Sequence, residues 1–261
     1  MPTLADLRTL AKAGSIAVAV VRAVKGSAPR EEGAWMAITP GGILGTIGGG
    51  EAELRTTIAA RRLLAEHRAR ETLELPLGPE LDQCCGGHMT VEIAVVDGAI
   101  GAAQPLWDGG PVLSDPVNAP VIVYGAGHVG AALVTALVPL PFSVTWVDGR
   151  HESEWAASAS IPCQRLAIPE TAAAAAPDDA IHVVLTHSHA LDLEIVAAIL
   201  VRPHRFCGLI GSATKRAVFI SRLRERGIVT DTLTCPIGLP GIEGKVPAII
   251  AASATAQLLS L

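Results

Sequence analysis

The sequence predicts an α/β fold with a C-terminal doubly wound parallel sheet and a smaller N-terminal α+β domain. The first observation is the stretch 120–150, where the apolar run 121–124 meets a glycine-rich turn, 125–130, and a second apolar run ends at Asp148. Strand, glycine turn, helix, strand and acid in that order are the pattern of a Rossmann-like βαβ unit. The second observation is that apolar runs and helical segments keep alternating after Asp148, which is typical of a parallel sheet with helices on both faces.

Each glycine of the turn GAGHVG has an expected role. Gly125 makes the tight turn, Gly127 lets the backbone approach a pyrophosphate, and Gly130 lets the helix lie against the strand. The helix start at His128 offers N–H groups to a phosphate, and Asp148 lies where an acid commonly bonds a ribose 2′-hydroxyl. The alternative is that the glycines serve only close packing, in a fold that binds another phosphate ligand or none.

Bulk composition narrows the class of protein. The 261 residues are 50% hydrophobic and 17% charged, which suits one large or two modest folded domains. No apolar run is long enough to cross a bilayer, and the first 15 residues do not resemble an export signal. Five cysteines without disulfide-like spacing indicate a reducing, cytoplasmic environment, and the net charge of −5 disfavours nucleic-acid binding.

We predict three parts: an N-terminal α+β domain over 1–100, a linker rich in Gly, Pro, Asp and Ala over 101–119, and the Rossmann-like domain over 120–261. In the first domain, the glycine triplet 48–50 precedes a helix predicted over Ala52–Arg70. The triplet is either a second anion-binding nest or a flexible turn before a helix start. The other elements predicted there are a helix at 4–13 and strands at 16–24, 34–39, 43–47, 73–77 and 89–96.

Adjacent cysteines, Cys84 and Cys85, are followed by Gly86 and Gly87. In a loop bordered by glycine, at least one of the two thiols can be presented to a ligand. A thiolate is a soft donor that suits molybdenum, Cu(I), zinc or a sulfur-transfer partner. The alternative is that these cysteines are small buried apolar residues.

Two further groups of residues follow predicted strands of the C-terminal domain. His187 and His189, with Asp192, can bind a metal or move protons, or they can belong to an ordinary helix start. Gly211, Ser212 and Lys215 combine a glycine, a helix cap and a cation, which favours phosphate binding over simple capping. Because the carboxyl ends of parallel strands meet at one edge of a sheet, we expect both groups to face the crevice beside Gly127.

Taken together, these segments make the chain resemble the XdhC/CoxI family, accessory proteins for the maturation of xanthine dehydrogenase and related molybdenum hydroxylases. The resemblance covers nearly the whole chain from about Lys25. The segments that carry it are GSAPREEGAWMAI, LGTIGGGEAE, LGPELDQCCGGHMTVEI, VIVYGAGHVG, VTWVDGR, LTHSHALD, GLIGSATKRAVF and CPIGLPGIEGKVPAIIA.

The resemblance implies a chaperone with little or no catalysis of its own. Such a protein binds molybdenum cofactor (molybdopterin), helps it acquire its sulfido ligand with a cysteine desulfurase, and delivers it to apo-xanthine dehydrogenase or a related hydroxylase. It also implies a homodimer. The residues expected to bind the cofactor are Cys84, Cys85, Gly86, Gly87, Gly125, Gly127, His128, Gly130, Asp148, His187, Gly211, Ser212 and Lys215, with Cys84 or Cys85 as the metal ligand.

Two other functions remain open on the sequence. One is an NAD(P)-dependent oxidoreductase that uses the glycine turn and Asp148, with His187 or His189 as acid or base or with Lys215 polarising a carbonyl. The other is a thiol-based redox or metal sensor built on Cys84-Cys85. The sequence offers no dedicated substrate-recognition residues, so the chaperone is the preferred prediction.

Overall fold

The chain folds as two units, Met1–Pro116 and Val117–Leu261, and their boundary lies inside the segment 101–119. The structure, a computed structural model, describes residues 3–77, 86–98, 105–107, 109–111, 113, 118–156 and 161–261. Across these residues, no helix combines the length and the apolar character that a membrane span requires.

Unit 1 is an α+β unit with an antiparallel sheet. Its described elements are α1 (Leu4–Ala13), β1 (Ile16–Lys25), β2 (Trp35–Ile38), β3 (Ile43–Gly45), α2 (Gly50–Ala65), β4 (Arg70–Leu77) and β5 (Gly87–Val96). The strand order is β3-β2-β1-β5-β4, with every neighbouring pair antiparallel.

The central strand β1 is buried on both faces, which explains its nearly continuous apolar sequence. Ala17, Ala19 and Val21 face the core that contains α2, whereas Ile16, Val18 and Val20 face the core that contains α1. A reciprocal pair of bonds between Thr3 and Asp6 fixes the start of α1 as a capping box. Two helices therefore cover opposite faces of one sheet.

The predicted helix over Ala52–Arg70 is too long at its C-terminal end. The helix ends at Ala65, and His67 adopts a positive φ of 52°. The N–H of Arg68 then bonds to the carbonyl of Leu63 at 3.0 Å, which closes the helix end. Arg70 already belongs to β4, where it pairs with Ala94.

Unit 2 has a Rossmann-like fold. Its described strands are β6 (Ala119–Tyr124), β7 (Phe142–Asp148), β8 (Gln164–Arg165), β9 (Ile181–Val184), β10 (Phe206–Leu209) and β11 (Leu233–Thr234). Its described α-helices are α3 (His128–Leu137), α4 (Glu170–Ala175), α5 (His189–Leu200), α6 (Ala213–Glu225) and α7 (Pro247–Leu259).

The strands of unit 2 are all parallel in the order β11-β10-β9-β6-β7-β8. Numbered within the unit, this is the 3-2-1-4-5-6 order of dinucleotide-binding domains, with the order reversing between β6 and β9. Alternate residues of β6 serve the two faces: Val121 and Val123 pack with α3 and α7, while Ile122 and Tyr124 pack with α5 and α6. The predicted doubly wound architecture is confirmed.

Candidate functional site

A crevice of about 320 Å³ opens beside the carboxyl ends of β6 and β9, where the strand order reverses. In open α/β sheets this is the place where ligands bind. None of the described residues that line it is acidic. They are Gly127, His128, Val129, Gly130, Arg150, Leu185, Thr186, His187, Ile210 and Lys215.

The three glycines of the turn differ in what fixes them. Gly125 has a φ of +125°, and a Cβ there would meet the carbonyl oxygen of Leu185. A Cβ on Gly130 would meet the carbonyl oxygen of Gly125, so these two positions are set by close packing. Gly127 has no such constraint: a Cβ would meet nothing within 4 Å, and its φ is −83°. It faces the open crevice beside the first turn of α3, whose N–H groups have no acceptors within the helix.

Asp148 at the end of β7 is only 2% exposed and is held by the chain itself. Its Oδ2 accepts from the N–H of Ala126 at 2.6 Å, and its two oxygens also accept from the side chain of Arg150 at 3.1 and 2.7 Å. Burial alone would raise the pKa of this carboxyl, but these hydrogen bonds outweigh it, and the pKa lies below its ordinary value. Asp148 therefore anchors the glycine turn, and its contact with a ribose stays a prediction.

Arg150 was not among the residues predicted from the sequence to bind a ligand. Its guanidinium is 19% exposed, pairs with Asp148 and donates from Nη1 to the carbonyl of Glu154 at 3.2 Å. Arg150 lines the crevice, whereas Asp148 is not among the lining residues. The sequence feature that could have indicated Arg150 is the tripeptide Asp-Gly-Arg at the end of the apolar run of β7, which places a cation two residues after the expected acid.

A second buried carboxylate, Asp192 on α5, holds the other cation of the crevice. Asp192 is 0% exposed and accepts from the N–H and hydroxyl of Thr186 at 2.8 and 2.7 Å. Lys215 donates to its Oδ2 at 2.6 Å and to the carbonyl of Ile210 at 3.2 Å. The lysine lines the crevice but is 12% exposed and paired. Its predicted role toward an anion remains a prediction.

The helix starts after β9 and β10 show capping. The hydroxyl of Ser188 accepts from Leu191 N at 3.4 Å, and that of Ser212 accepts from Lys215 N at 3.2 Å. His187 and His189 are both exposed, and His187 lines the crevice.

The described residues contain no cluster of His, Cys, Asp and Glu able to hold a metal ion. Asp192 instead has its oxygens occupied by Thr186 and Lys215. A Cβ on Gly211 would collide with the side chain of Lys215, so this glycine makes room for the lysine stem.

The backbone at the glycine triplet of unit 1 donates hydrogen bonds to a carboxylate of the same chain, Glu53. Oε2 of Glu53 accepts from Ile47 N and Gly49 N, both at 3.1 Å, and from the hydroxyl of Thr46 at 2.5 Å. A Cβ on Gly48 would also collide with Pro29. The N–H groups here bind an anion, as the anion-nest alternative predicts, but the anion is the side chain of Glu53.

Cys84 and Cys85 lie outside the residues that the structure describes, so their role as metal ligands stays a prediction. The next two residues are described. Gly86 has a φ of +66° and forms a β-bridge with Ser27, and a Cβ on Gly87 would meet the carbonyl oxygens of Ser27 and Lys25. Gly86 is thus favoured by its positive φ, and Gly87 is set by close packing against Lys25 and Ser27.

The cysteines that the structure describes are poor candidates for thiol chemistry. Burial raises the pKa of Cys163 and of Cys207 to about 12 in each case. Burial also raises the pKa of Cys235. Their thiols are protonated at neutral pH, and a protonated thiol is a weak nucleophile and a weak ligand.

Fold and crevice define a class: a Rossmann domain with an open, cation-lined crevice, in one chain with an antiparallel α+β unit. Comparison with known families makes this more specific. Residues 121–258 match the XdhC Rossmann domain, and residues 9–75 match the XdhC and CoxI family. These matches cover more than half of the chain, which therefore belongs to the XdhC and CoxI family.

Two individual proteins illustrate the similarity. YqeB, an uncharacterized protein of Escherichia coli (strain K12), is 26% identical over 249 residues; the match takes in 91% of this chain but 42% of YqeB. The chain thus spans less than half the length of that relative. A crystal structure described as a xanthine dehydrogenase from Bacillus halodurans matches with a TM-score of 0.76 and 22% identity, covering 100% of this chain and 95% of that one. At this identity the match supports the fold.

Proposed function

We propose that this protein is an accessory protein that matures xanthine dehydrogenase or a related molybdenum hydroxylase. In this proposal it binds molybdenum cofactor, supports sulfuration of the cofactor together with a cysteine desulfurase, and delivers it to the apo-hydroxylase. It works in the cytoplasm as a homodimer. Membership of the XdhC and CoxI family supports the general role.

The single observation that carries the proposal is the character of the crevice in unit 2. It presents Gly127, the first turn of α3 and two cations, which suits the phosphate of a bound cofactor. The nearby carboxylates of Asp148 and Asp192 are each tied to one of those cations. Among the described residues around the crevice, neither acid is therefore free to act as a general base. Such a site is suited to holding a ligand.

In unit 1, we propose Cys84 or Cys85 as a soft ligand for molybdenum. The bridge between Gly86 and Ser27 and the close packing of Gly87 against Ser27 support this proposal, because they hold the residues that directly follow the two cysteines. Thiolates are preferred ligands of soft metals. Molybdenum retention by the purified protein, compared with a Cys84→Ala, Cys85→Ala double variant, tests this part by itself.

Reconstitution tests the whole proposal. Apo-xanthine dehydrogenase, a cofactor source and the desulfurase are mixed with and without this protein, and we expect activity to rise only when it is present. Gly127→Val places a branched side chain in the crevice from a Cβ that would itself meet nothing within 4 Å, and we expect it to lose most of that gain. Gly41→Val is the matched control, because a Cβ there also meets nothing within 4 Å. Equal activity without the protein would refute the proposal.

One observation favours a second candidate, an NAD(P)-dependent oxidoreductase: the strand order of unit 2 is that of dinucleotide-binding domains. The candidate is weakened by the two occupied carboxylates and by the pairing of Lys215 with Asp192. Measuring nicotinamide absorbance with a panel of small hydroxy acids and aldehydes separates the two. Turnover abolished by Gly127→Val would favour the oxidoreductase over the chaperone.

A further inference from the structure

We propose that Arg150 makes the crevice of unit 2 selective for ligands that carry a phosphomonoester. This inference rests on the proposed function in that it assumes a phosphate-bearing ligand in that crevice. It goes further because it names the chemical group that is recognised and the residue that recognises it.

The first step is that the usual receptor for a ribose diol is not available. In dinucleotide-binding domains an acid at the end of the second strand accepts bonds from ribose hydroxyls. Here that acid is Asp148, which is 2% exposed and already accepts from Ala126 N and from Arg150. A ligand that offers only a diol would have to displace these charge-assisted bonds, which are the stronger kind.

The second step is the number of donors left on Arg150. A guanidinium has five N–H groups. Nε and Nη2 each donate once to Asp148, and Nη1 donates once to the carbonyl of Glu154. One N–H remains on each terminal nitrogen, and two N–H groups are what a bidentate contact with a phosphate requires.

The third step is charge. Arg150 lines the crevice, whose described lining includes no acidic side chain and includes the N-terminal turn of α3. A phosphomonoester carries close to two negative charges at neutral pH, whereas a diester carries one and a diol none. The monoester therefore gains most from the arginine and from the positive end of the helix.

Two ligands can supply this group: NADP(H), through its 2′-phosphate, and molybdopterin without an attached nucleotide, through its terminal phosphate. For the first source, isothermal titration of the full chain compares NADP⁺ with NAD⁺, whose two phosphates form a pyrophosphate and include no monoester. For the second, it compares molybdopterin with its dinucleotide form, in which the phosphate is no longer a monoester. We expect at least one pair to show tenfold or greater preference for the monoester, weakening below pH 6 as the phosphate takes up a proton.

Arg150→Gln should abolish the preference, and Arg150→Lys should retain part of it, because lysine keeps the charge but not the fork. Arg216→Gln on α6 is the control: Arg216 is exposed and absent from the crevice lining, so we expect no change. Circular dichroism and a thermal melt show whether Arg150→Gln is folded; should it unfold, Arg150→Lys decides the question by an intermediate preference.

Equal binding of the two members in both pairs, or no binding at all, would overturn the inference, as would a preference unchanged in Arg150→Gln or Arg150→Lys. Failure of the proposed function looks different. A preference for NADP⁺ with no uptake of molybdopterin would refute cofactor carriage by this crevice and support the selectivity. Uptake of molybdopterin that is the same in Arg150→Gln as in wild type would support cofactor carriage by this crevice and refute the selectivity.

Discussion

Each unit places a glycine-rich turn between the end of a strand and the start of a helix: 48–50 before α2 in unit 1 and 125–130 before α3 in unit 2. In unit 1 Glu53, which lies on the helix that follows, accepts from the N–H groups of Ile47 and Gly49. In unit 2 the anchoring carboxylate is Asp148, which comes from a neighbouring strand and takes the N–H of Ala126. The first turn of α3 is left facing the crevice.

The difference shows that a glycine turn before a helix is not by itself a binding site. Both turns present N–H groups at the positive end of a helix. Whether a ligand can use them depends on where the nearest carboxylate of the same chain lies. Glu53, about one helical turn after the glycine triplet, accepts from the N–H groups that an external anion would otherwise use. Asp148, on the adjacent strand, accepts from Ala126 and leaves the first turn of α3 facing the crevice.

The largest expected effect separates glycines fixed by packing from the glycine that faces the crevice. Gly130→Ala should destabilise unit 2 by more than about 4 kcal/mol, because its Cβ would meet the carbonyl of Gly125. That carbonyl is held by the indole N–H of Trp146 at 2.9 Å. The helix propensity gained with alanine is only about 1 kcal/mol. Gly127→Ala should stay within about 0.5 kcal/mol. Urea unfolding followed by tryptophan fluorescence tests both, and equal midpoints would contradict the distinction.

The next effect concerns the buried carboxylate under the crevice. Asp192→Asn should cost about 3–5 kcal/mol, because it leaves Lys215 largely buried without its counter-charge. The double variant Asp192→Asn, Lys215→Met should recover much of this loss. Glu194→Gln, which breaks an exposed pair with Arg226, is the control and should cost less than about 1 kcal/mol. An Asp192→Asn variant as stable as the control would show that the pair does not support the crevice.

In unit 1, removing the internal anion should open the nest. Glu53→Ala should cost about 1–3 kcal/mol, because the donors of Thr46, Ile47 and Gly49 lose their acceptor. We expect added sulfate to restore stability to this variant more than to wild type, since an ion that binds only the folded state stabilises it. Glu51→Ala, which removes an exposed helix pair with Arg55, is the control. A sulfate response equal to that of the control would argue against a nest.

A change of pH should distinguish the units with a smaller effect. Burial, reinforced by the charges of His204 and Arg202, lowers the pKa of His182 to about 4, and the ring shares a hydrogen bond with Tyr124 at 2.9 Å. The unfolded chain takes up this proton near pH 6.5 and the folded chain only near pH 4. The contribution of a neutral His182 is therefore present above pH 6.5 and is lost as the pH falls between these values.

From pH 7 to pH 5 this amounts to about 2 kcal/mol of unit 2 stability. Unit 1 serves as the comparison, because its described histidines, His67 and His88, are not buried. Denaturation at both pH values, monitored by hydrogen exchange in each unit, measures the contrast. His182→Gln should reduce the pH dependence of unit 2, and an unchanged slope would assign it to other groups.

Much of the fold could be predicted because its signals are local. The parallel sheet follows from apolar runs alternating with helical segments, and the packing roles of Gly125 and Gly130 follow from the spacing of the turn. The end of α2 could not be predicted, because the residues 66–70 are compatible with a helix. The chain leaves the helix there since Arg70 pairs with Ala94, a contact between positions distant in sequence.

The candidate site was predictable in its location and less so in its chemistry. Gly127, His128, His187 and Lys215 were expected at one edge of the sheet, and all four line the crevice. Arg150 was missed because an arginine in a loop carries no periodic signal.

By itself the sequence determined the two kinds of sheet, the order of their elements and the glycine turns, because hydrophobic period and backbone freedom act over a few residues. Only the tertiary structure decided which N–H groups and cations stay available to a ligand. That outcome depends on which carboxylate reaches which donor. The partly buried Glu53 accepts from Ile47 and Gly49 in unit 1, while the buried Asp148 and Asp192 hold the two cations of the crevice in unit 2. Burial makes these pairings strong, and burial is a property of the assembled fold.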